Sequence, residues 1–395
     1  MDDKLIPILT GKRQDKKFSF NKASRTALLV VSFFVAIYVF VVSFLSGESV
    51  PLTAYWSLVK QNVGWLYIAV LLFIAVVFLE TCRYTVLIRM TIKQFKPILA
   101  FRTAMIGRFY SAVTPFLNGG QGMQTNVLAQ AKTGRASAFS IPFSQVFLKT
   151  LVWNLILMFF FIFNKQGITG MKWWAFAGLI VNGIYPVLFF VFSINEKAAK
   201  KIIAGLLKAG AYLKLVKNYD SALSASWSFL EDLSISVKNI TKNLKGFLLL
   251  LLLYAAEFMA LMSIPFFLFR SVGESVTYTY MLVSYMYIYL SSLYVPIPGA
   301  AGAYEIYFFT MYSGLVTNNM TYWLMLTMRF FTYFFYIICG YVILLVDSVV
   351  KRVRGRQKLK SLIAEHTAER PQEEAEIPSE AESLIPKDES QTLLP

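Results

Sequence analysis

The chain has 395 residues, 57% of them hydrophobic, a formal charge of +16, and a positive mean hydropathy of +0.56. Several apolar runs are long enough to cross roughly 30 Å of hydrocarbon as a helix, and they lack the polar face of a soluble core helix, which excludes an ordinary soluble enzyme. The positive charges collect in loops between those runs, as cytoplasmic flanks do beside anionic lipid, so nucleic acid is not an expected partner.

In chain order, residues 1–26 form a basic arm in which Lys4, Lys12, Arg13, Lys16, Lys17, Lys22 and Arg25 outnumber three aspartates. No cleavable signal is expected, because the first apolar run has no small-residue cleavage site after it. The predicted spans are 27–45, 63–83, 136–163, 173–192, 246–269, 277–295, 300–317 and 321–346. Together they make an all-α polytopic bundle over residues 27–350. Basic clusters follow the second, fourth and last spans, whereas the opposite loops are short and nearly charge-free. Eight spans place every basic loop and both termini on the cytoplasmic side.

Residues 195–245 connect two spans. AKKIIAGLLKAGAYLKLVK spaces apolar residues at helical intervals with lysines between them, which predicts amphipathic helices on the inner membrane face. Residues 351–395 read as a basic, then acidic, disordered tail. Cys82 and Cys339 form no metal or redox motif, and no cofactor is expected.

Two segments interrupt this pattern. One is Thr114–Gln124, TPFLNGGQGMQ; the other is Pro296–Glu305, PIPGAAGAYE. Each opens on a proline, continues with closely spaced small residues, and reaches a long polar side chain nine residues on, Gln124 after Pro115 and Glu305 after Pro296. A serine stands four residues before each proline, Ser111 and Ser292. Such segments read as a helix that stops, turns and restarts, with proline removing a donor and glycine permitting the turn. Non-helical backbone at membrane depth is tolerated where it is buried in protein or lines a wet cavity, and paired interruptions are the best sequence pointer to a transporter's binding site. For residues 100–134 a re-entrant hairpin and a surface loop are both open.

Charged residues inside spans are the other signal. Lys149 and Glu257 lie near the middle of their spans, and Arg329 lies inside the last. An ionisable group at mid-bilayer costs about 2.5–3.5 kcal/mol on insertion scales, so each must face protein or a polar path. Lys149 and Glu257 are expected to face one central cavity, as a pair or otherwise; a bridge that only orients helices is the bland reading. Glu80 and Arg83, at the inner end of the second span, are expected at the interface. No phosphate-binding loop, nucleophile elbow or Cys/His cluster is present.

PIPGAAGAYE resembles the P-x-P-G-G-x-G-x-x-E element of the lysylphosphatidylglycerol synthase transmembrane family of flippase-like proteins, and TPFLNGGQGMQ resembles its T-P…G-G-Q-P-M-Q element. The resemblance covers roughly residues 20–350. Ala300 stands where the family usually has glycine, and Gly122 where it often has proline. The family's best-known member, the multiple peptide resistance factor, joins this region to a soluble aminoacyltransferase; that half is expected to be absent here.

The resemblance implies a lipid-translocating module of the cytoplasmic membrane, and by extension a part in antimicrobial peptide resistance. Its substrate would be a phospholipid, such as an aminoacylated phosphatidylglycerol, or a glycolipid. Pro115, Asn118, Gly119, Gly120, Gln121 and Gln124 would form one cavity wall. Pro296, Pro298, Gly299, Gly302 and Glu305 would form the other. Glu305 would balance a cation or hold the restarted helix, and Arg108 and Lys149 would hold a phosphate. Rival readings are a scaffold for a separate lipid synthase and an intramembrane transferase; a homodimer is compatible with each.

Overall fold

The computed structural model describes residues 50–114, 119–163, 171–194, 196–212, 218–224, 226–227, 242–293, 295–316 and 320–373, with a few positions between 30 and 41. Most of the span expected at 27–45, Pro115, Asn118 and the chain beyond 373 lie outside them. The described residues form twelve α-helices. In chain order these are α1 (Leu52–Gln61), α2 (Val63–Ile92), α3 (Pro97–Val113), α4 (Gly120–Gln130), α5 (Arg135–Phe163) and α6 (Lys172–Ile194). They continue as α7 (Glu196–Tyr212), α8 (Leu244–Ser271), α9 (Tyr278–Ser292), α10 (Ala303–Tyr312), α11 (Thr321–Arg329) and α12 (Phe335–Glu373). Contacts divide the chain into two units, Met1–Gly340 and Tyr341–Pro395.

Among the described residues, four stretches are long and apolar enough to cross a bilayer: Val63–Ile92, Ser137–Phe163, Leu244–Ser271 and Thr321–Val350. Their outward surface is apolar. On α2, Tyr67, Leu71, Ile74 and Phe78 recur at helical spacing and are all exposed. The opposite face carries Phe73, Val76, Glu80, Arg83, Tyr84 and Leu87, all buried. A helix that hides its charges and shows its large apolar side chains is built for lipid, not water.

The expected boundaries need three corrections. α2 continues nine residues past its expected end at 83, so Glu80 and Arg83 are interior, not interfacial: exposure is 3% and 0%. Their charges lower local hydropathy without ending the helix. The segments expected as spans at 277–295 and 300–317 form helices of only 15 and 10 residues. At 1.5 Å per residue, α9 reaches about 22 Å, short of a full crossing. Eleven of the fifteen residues of α9 are buried, and all eleven lie between Met281 and Ser292, so it is a core helix. Finally, α12 carries helix through 351–373, where an irregular tail is expected. Apart from Gly355 and Pro371, that stretch is rich in Lys, Arg, Leu, Ala and Glu, which favour helix.

α3 and α4 form a tight hairpin around the first interruption. Pro97 occupies the start of α3, where its missing N–H costs nothing. At the tip, the Thr114 hydroxyl donates to Tyr110 O (2.8 Å) and accepts from Gly119 N–H (2.9 Å), tying the end of one helix to the start of the next. Gly120 lies against the Gly107 carbonyl, and Gly107 lies against the Gln124 side chain; a Cβ at either would collide. This is small-residue packing of helices in close approach. Both helices are largely buried against α2 and α5, which favours the inserted hairpin over the surface loop.

Of the connector expected over 195–245, α7 covers 196–212, with Ile202, Leu206 and Tyr212 exposed and Ala199 buried; residues 213–217 and 228–241 lie outside the described residues. α11 passes into α12 through a π-helical turn, Phe330–Phe334, immediately after Arg329. π-turns of this kind re-aim side chains and cluster at functional sites.

Candidate functional site, a polar cavity between the two chain interruptions

The bundle contains a partly open cavity of about 240 Å³. Gly120, Gln121 and Gln124 of the first interruption line one part of it, and Gly299 and Ala300 of the second line another. Ser111 and Ser292, the serines preceding each interruption, also border it. Of the other expected site residues, Arg108 and Lys149 line the cavity. Gly119, Pro296, Pro298, Gly302, Glu305 and Glu257 do not border it directly.

One wall is a charge network joining α2, α3 and α8. Arg108 Nε donates to both Glu80 oxygens (2.9 and 3.0 Å), and its Nη2 donates to Glu257 (3.1 Å). Arg83 pairs with the second Glu257 oxygen and lies 3.7 Å from Glu80. It also donates to Gln145 Oε1 (3.1 Å), which accepts from the Tyr254 hydroxyl (2.6 Å). The Tyr254 ring stands 4.4 Å from the Arg83 guanidinium. The network offsets part of the cost of burying these charges by adding hydrogen bonds to the ion pairs, although Arg83 Nε donates to no partner among the described residues.

Glu257 is therefore held by two arginines, and a direct pair with Lys149 is not formed. The expectation matched opposite signs at equal depth, but Arg83 and Arg108 reach the carboxylate first. Lys149 instead stands 4.3 Å over the Trp153 ring. Trp153 is fixed by its indole N–H donating to Tyr254 O (3.2 Å).

The opposite wall is built on the second interruption. Pro298–Ala300 forms a short 3-10 turn, and α10 restarts at Ala303. Gly299 (φ 63°) and Gly302 (φ 85°) take left-handed conformations that glycine adopts without penalty. Ala300 takes one too, at φ 51°. Glu305 accepts from Gly302 N–H (2.8 Å), reaching back to cap the restarted helix. Its carboxylate is gripped by Arg329 through two bonds, 2.7 Å from Nε and 2.8 Å from Nη2. Arg329 Nη1 donates to Gly299 O (2.7 Å), so one guanidinium ties α11, the turn and α10 together. The Arg329 guanidinium stands 4.1 Å from the Tyr304 ring.

Glu305 is 1% exposed and its charge is spent on Arg329, so its position is that of a helix-holding residue. The aromatic share of the lining, which includes Tyr84, Trp153, Tyr285, Tyr304 and Tyr336, escapes sequence reading. In a chain with 22 tyrosines, no local signal marks which ones face inward. Arg329 is visible as an intramembrane charge, but its partner, 24 residues upstream, is not.

The cavity thus offers hydroxyls, amides, aromatic faces and an ammonium, with each carboxylate already paired to a guanidinium. It contains no assembled nucleophile–base pair among the described residues.

No curated protein and no solved structure matches the chain at the level where a likeness counts. The family described as lysylphosphatidylglycerol synthase TM region matches residues 26–340, a stretch that takes in both interruptions and every residue lining the cavity. The match is to the transmembrane region, with no synthase domain detected. This multi-pass membrane protein therefore belongs to the lysylphosphatidylglycerol synthase transmembrane-region family.

Proposed function

We propose that the protein is a lipid translocator of the cytoplasmic membrane, with the cavity as the head-group site. The observation that carries this reading is convergence. Two interruptions about 180 residues apart, each costly in a membrane helix, border the same polar cavity inside an apolar exterior. A head group would occupy the cavity while its acyl chains stayed against the apolar outer faces. Gly120 and Gly299 let backbone approach the head group; Gln121, Gln124 and the tyrosines supply hydrogen bonds.

Under this reading eight crossings, some completed by paired short helices, leave both termini cytoplasmic and α7 on the inner face. Without a phosphate-binding loop, movement would run downhill or couple to an ion gradient. Pro115 and Asn118 would complete the first wall.

The test is lipid translocation in proteoliposomes, with labelled phospholipids, aminoacylated phospholipids and glycolipids. Gln121 is half-buried and lines the cavity, so Gln121→Trp fills it without touching the ion pairs. The wild type should move one lipid class above protein-free vesicles, and the folded variant should lose at least about tenfold of that rate, about 1.4 kcal/mol in the barrier. No movement by folded wild-type protein would favour a scaffold for a separate lipid synthase.

A further inference from the structure

Charge accounting around the cavity leaves one cation over. Glu80 and Glu257 bind Arg108 and Arg83, and Glu305 binds Arg329. The four cations Arg83, Arg108, Lys149 and Arg329 thus face three carboxylates, Glu80, Glu257 and Glu305. Lys149 is the member with no carboxylate within 4.0 Å among the described residues. Its ammonium has the Trp153 face on one side and the cavity beside it. The desolvation cost of an ammonium inside a membrane protein exceeds what one aromatic face returns, so a counter-charge is what keeps such a lysine protonated.

We infer that the missing counter-charge comes from the substrate: Lys149 receives the phosphate of an anionic lipid head group, and the cavity rejects head groups with net positive charge. This rests on the translocation reading and narrows it. A cationic head group such as an aminoacylated phosphatidylglycerol would bring ammonium groups into a site whose carboxylates are all taken. Placing an unpaired charge against the wrong ligand is one of the ways a binding site rejects it. The neighbouring Asn182, Thr150 and Gln121 are uncharged and suit the hydroxyls of a glycerol-type head group.

The test is equilibrium binding to the purified full chain in uncharged detergent micelles, read independently of transport. The probes are phosphatidylglycerol and lysyl-phosphatidylglycerol with identical acyl chains, and soluble sn-glycerol 3-phosphate. The variants are Lys149→Met, Lys149→Arg and, to control for bulk charge, Lys172→Met at an exposed position. The wild type should prefer phosphatidylglycerol at least about tenfold, about 1.4 kcal/mol. Lys149→Met should lose that preference; Lys149→Arg and Lys172→Met should keep it. Equal or tighter binding of the lysyl lipid by wild type overturns the inference, whether or not any lipid is transported. Unchanged preference in Lys149→Met overturns the assignment to Lys149. Selective binding without translocation of any lipid retains the anion site and overturns the translocation reading. Glycerol 3-phosphate binding as tightly as the lipid does the same, identifying a soluble ligand.

Discussion

Ala300 sits at φ 51°, a conformation that costs an L-residue roughly 1–2 kcal/mol and glycine nothing. It lies in the turn where Gly299, at φ 63°, packs against the Tyr333 ring, and Arg329 bonds the preceding carbonyl. The turn keeps its geometry despite the alanine because the Arg329 clamp over-determines it. Ala300→Gly should raise the apparent melting temperature in detergent, by the equivalent of about 1 kcal/mol. A lower melting temperature would mean the alanine methyl group packs more favourably than its backbone is strained. Glycine and proline are legible at this scale because their effect is local: PIPGAAGAYE announces a turn with no knowledge of its neighbours. Glu80 and Arg83 are not, because what buries them arrives from α3 and α8: Arg108 lies 28 residues after Glu80, and Glu257 lies 149 residues after Arg108.

At the scale of elements, the second interruption is held by one guanidinium and the first by backbone proximity and a threonine. Glu305 and Arg329 should therefore behave as a unit. Arg329→Met alone leaves a buried carboxylate and should cost about 3–5 kcal/mol, as should Glu305→Met. The double variant should cost clearly less than the two together, with a coupling of about 1–3 kcal/mol in a double-mutant cycle of detergent unfolding. Strict additivity would show that the pair does not clamp α10 to α11. Both interruptions are legible from proline and glycine spacing, although for the first that spacing fits an inserted hairpin and a surface loop alike. The shortness of α9 and α10 was not readable, because an apolar run looks alike whether it crosses lipid or fills a core. Tyr278–Ser292 is apolar and buried on nearly all sides, so hydropathy reads it as a span although it is one turn or more too short.

The whole molecule turns the usual arrangement outward: apolar side chains such as Phe78 and Leu71 face out, and ion pairs, amides and tyrosine hydroxyls face a shared interior space. Charge position in the sequence indicated that an interior polar region exists, since Lys149, Glu257 and Arg329 are too costly to face lipid. Which charges pair was beyond it, and the pairing decides the chemistry, leaving Lys149 as the unmatched cation. The central claim is that head groups enter this interior while acyl chains stay outside. The most direct measurement places a photo-crosslinking residue at Gln121 or Thr150, inside, and at Phe78, outside, in protein reconstituted with lipid labelled on either the head group or an acyl chain. The account predicts head-group label captured at Gln121 and Thr150, and acyl-chain label at Phe78. Head-group label absent from both inner positions, in folded protein, would contradict it.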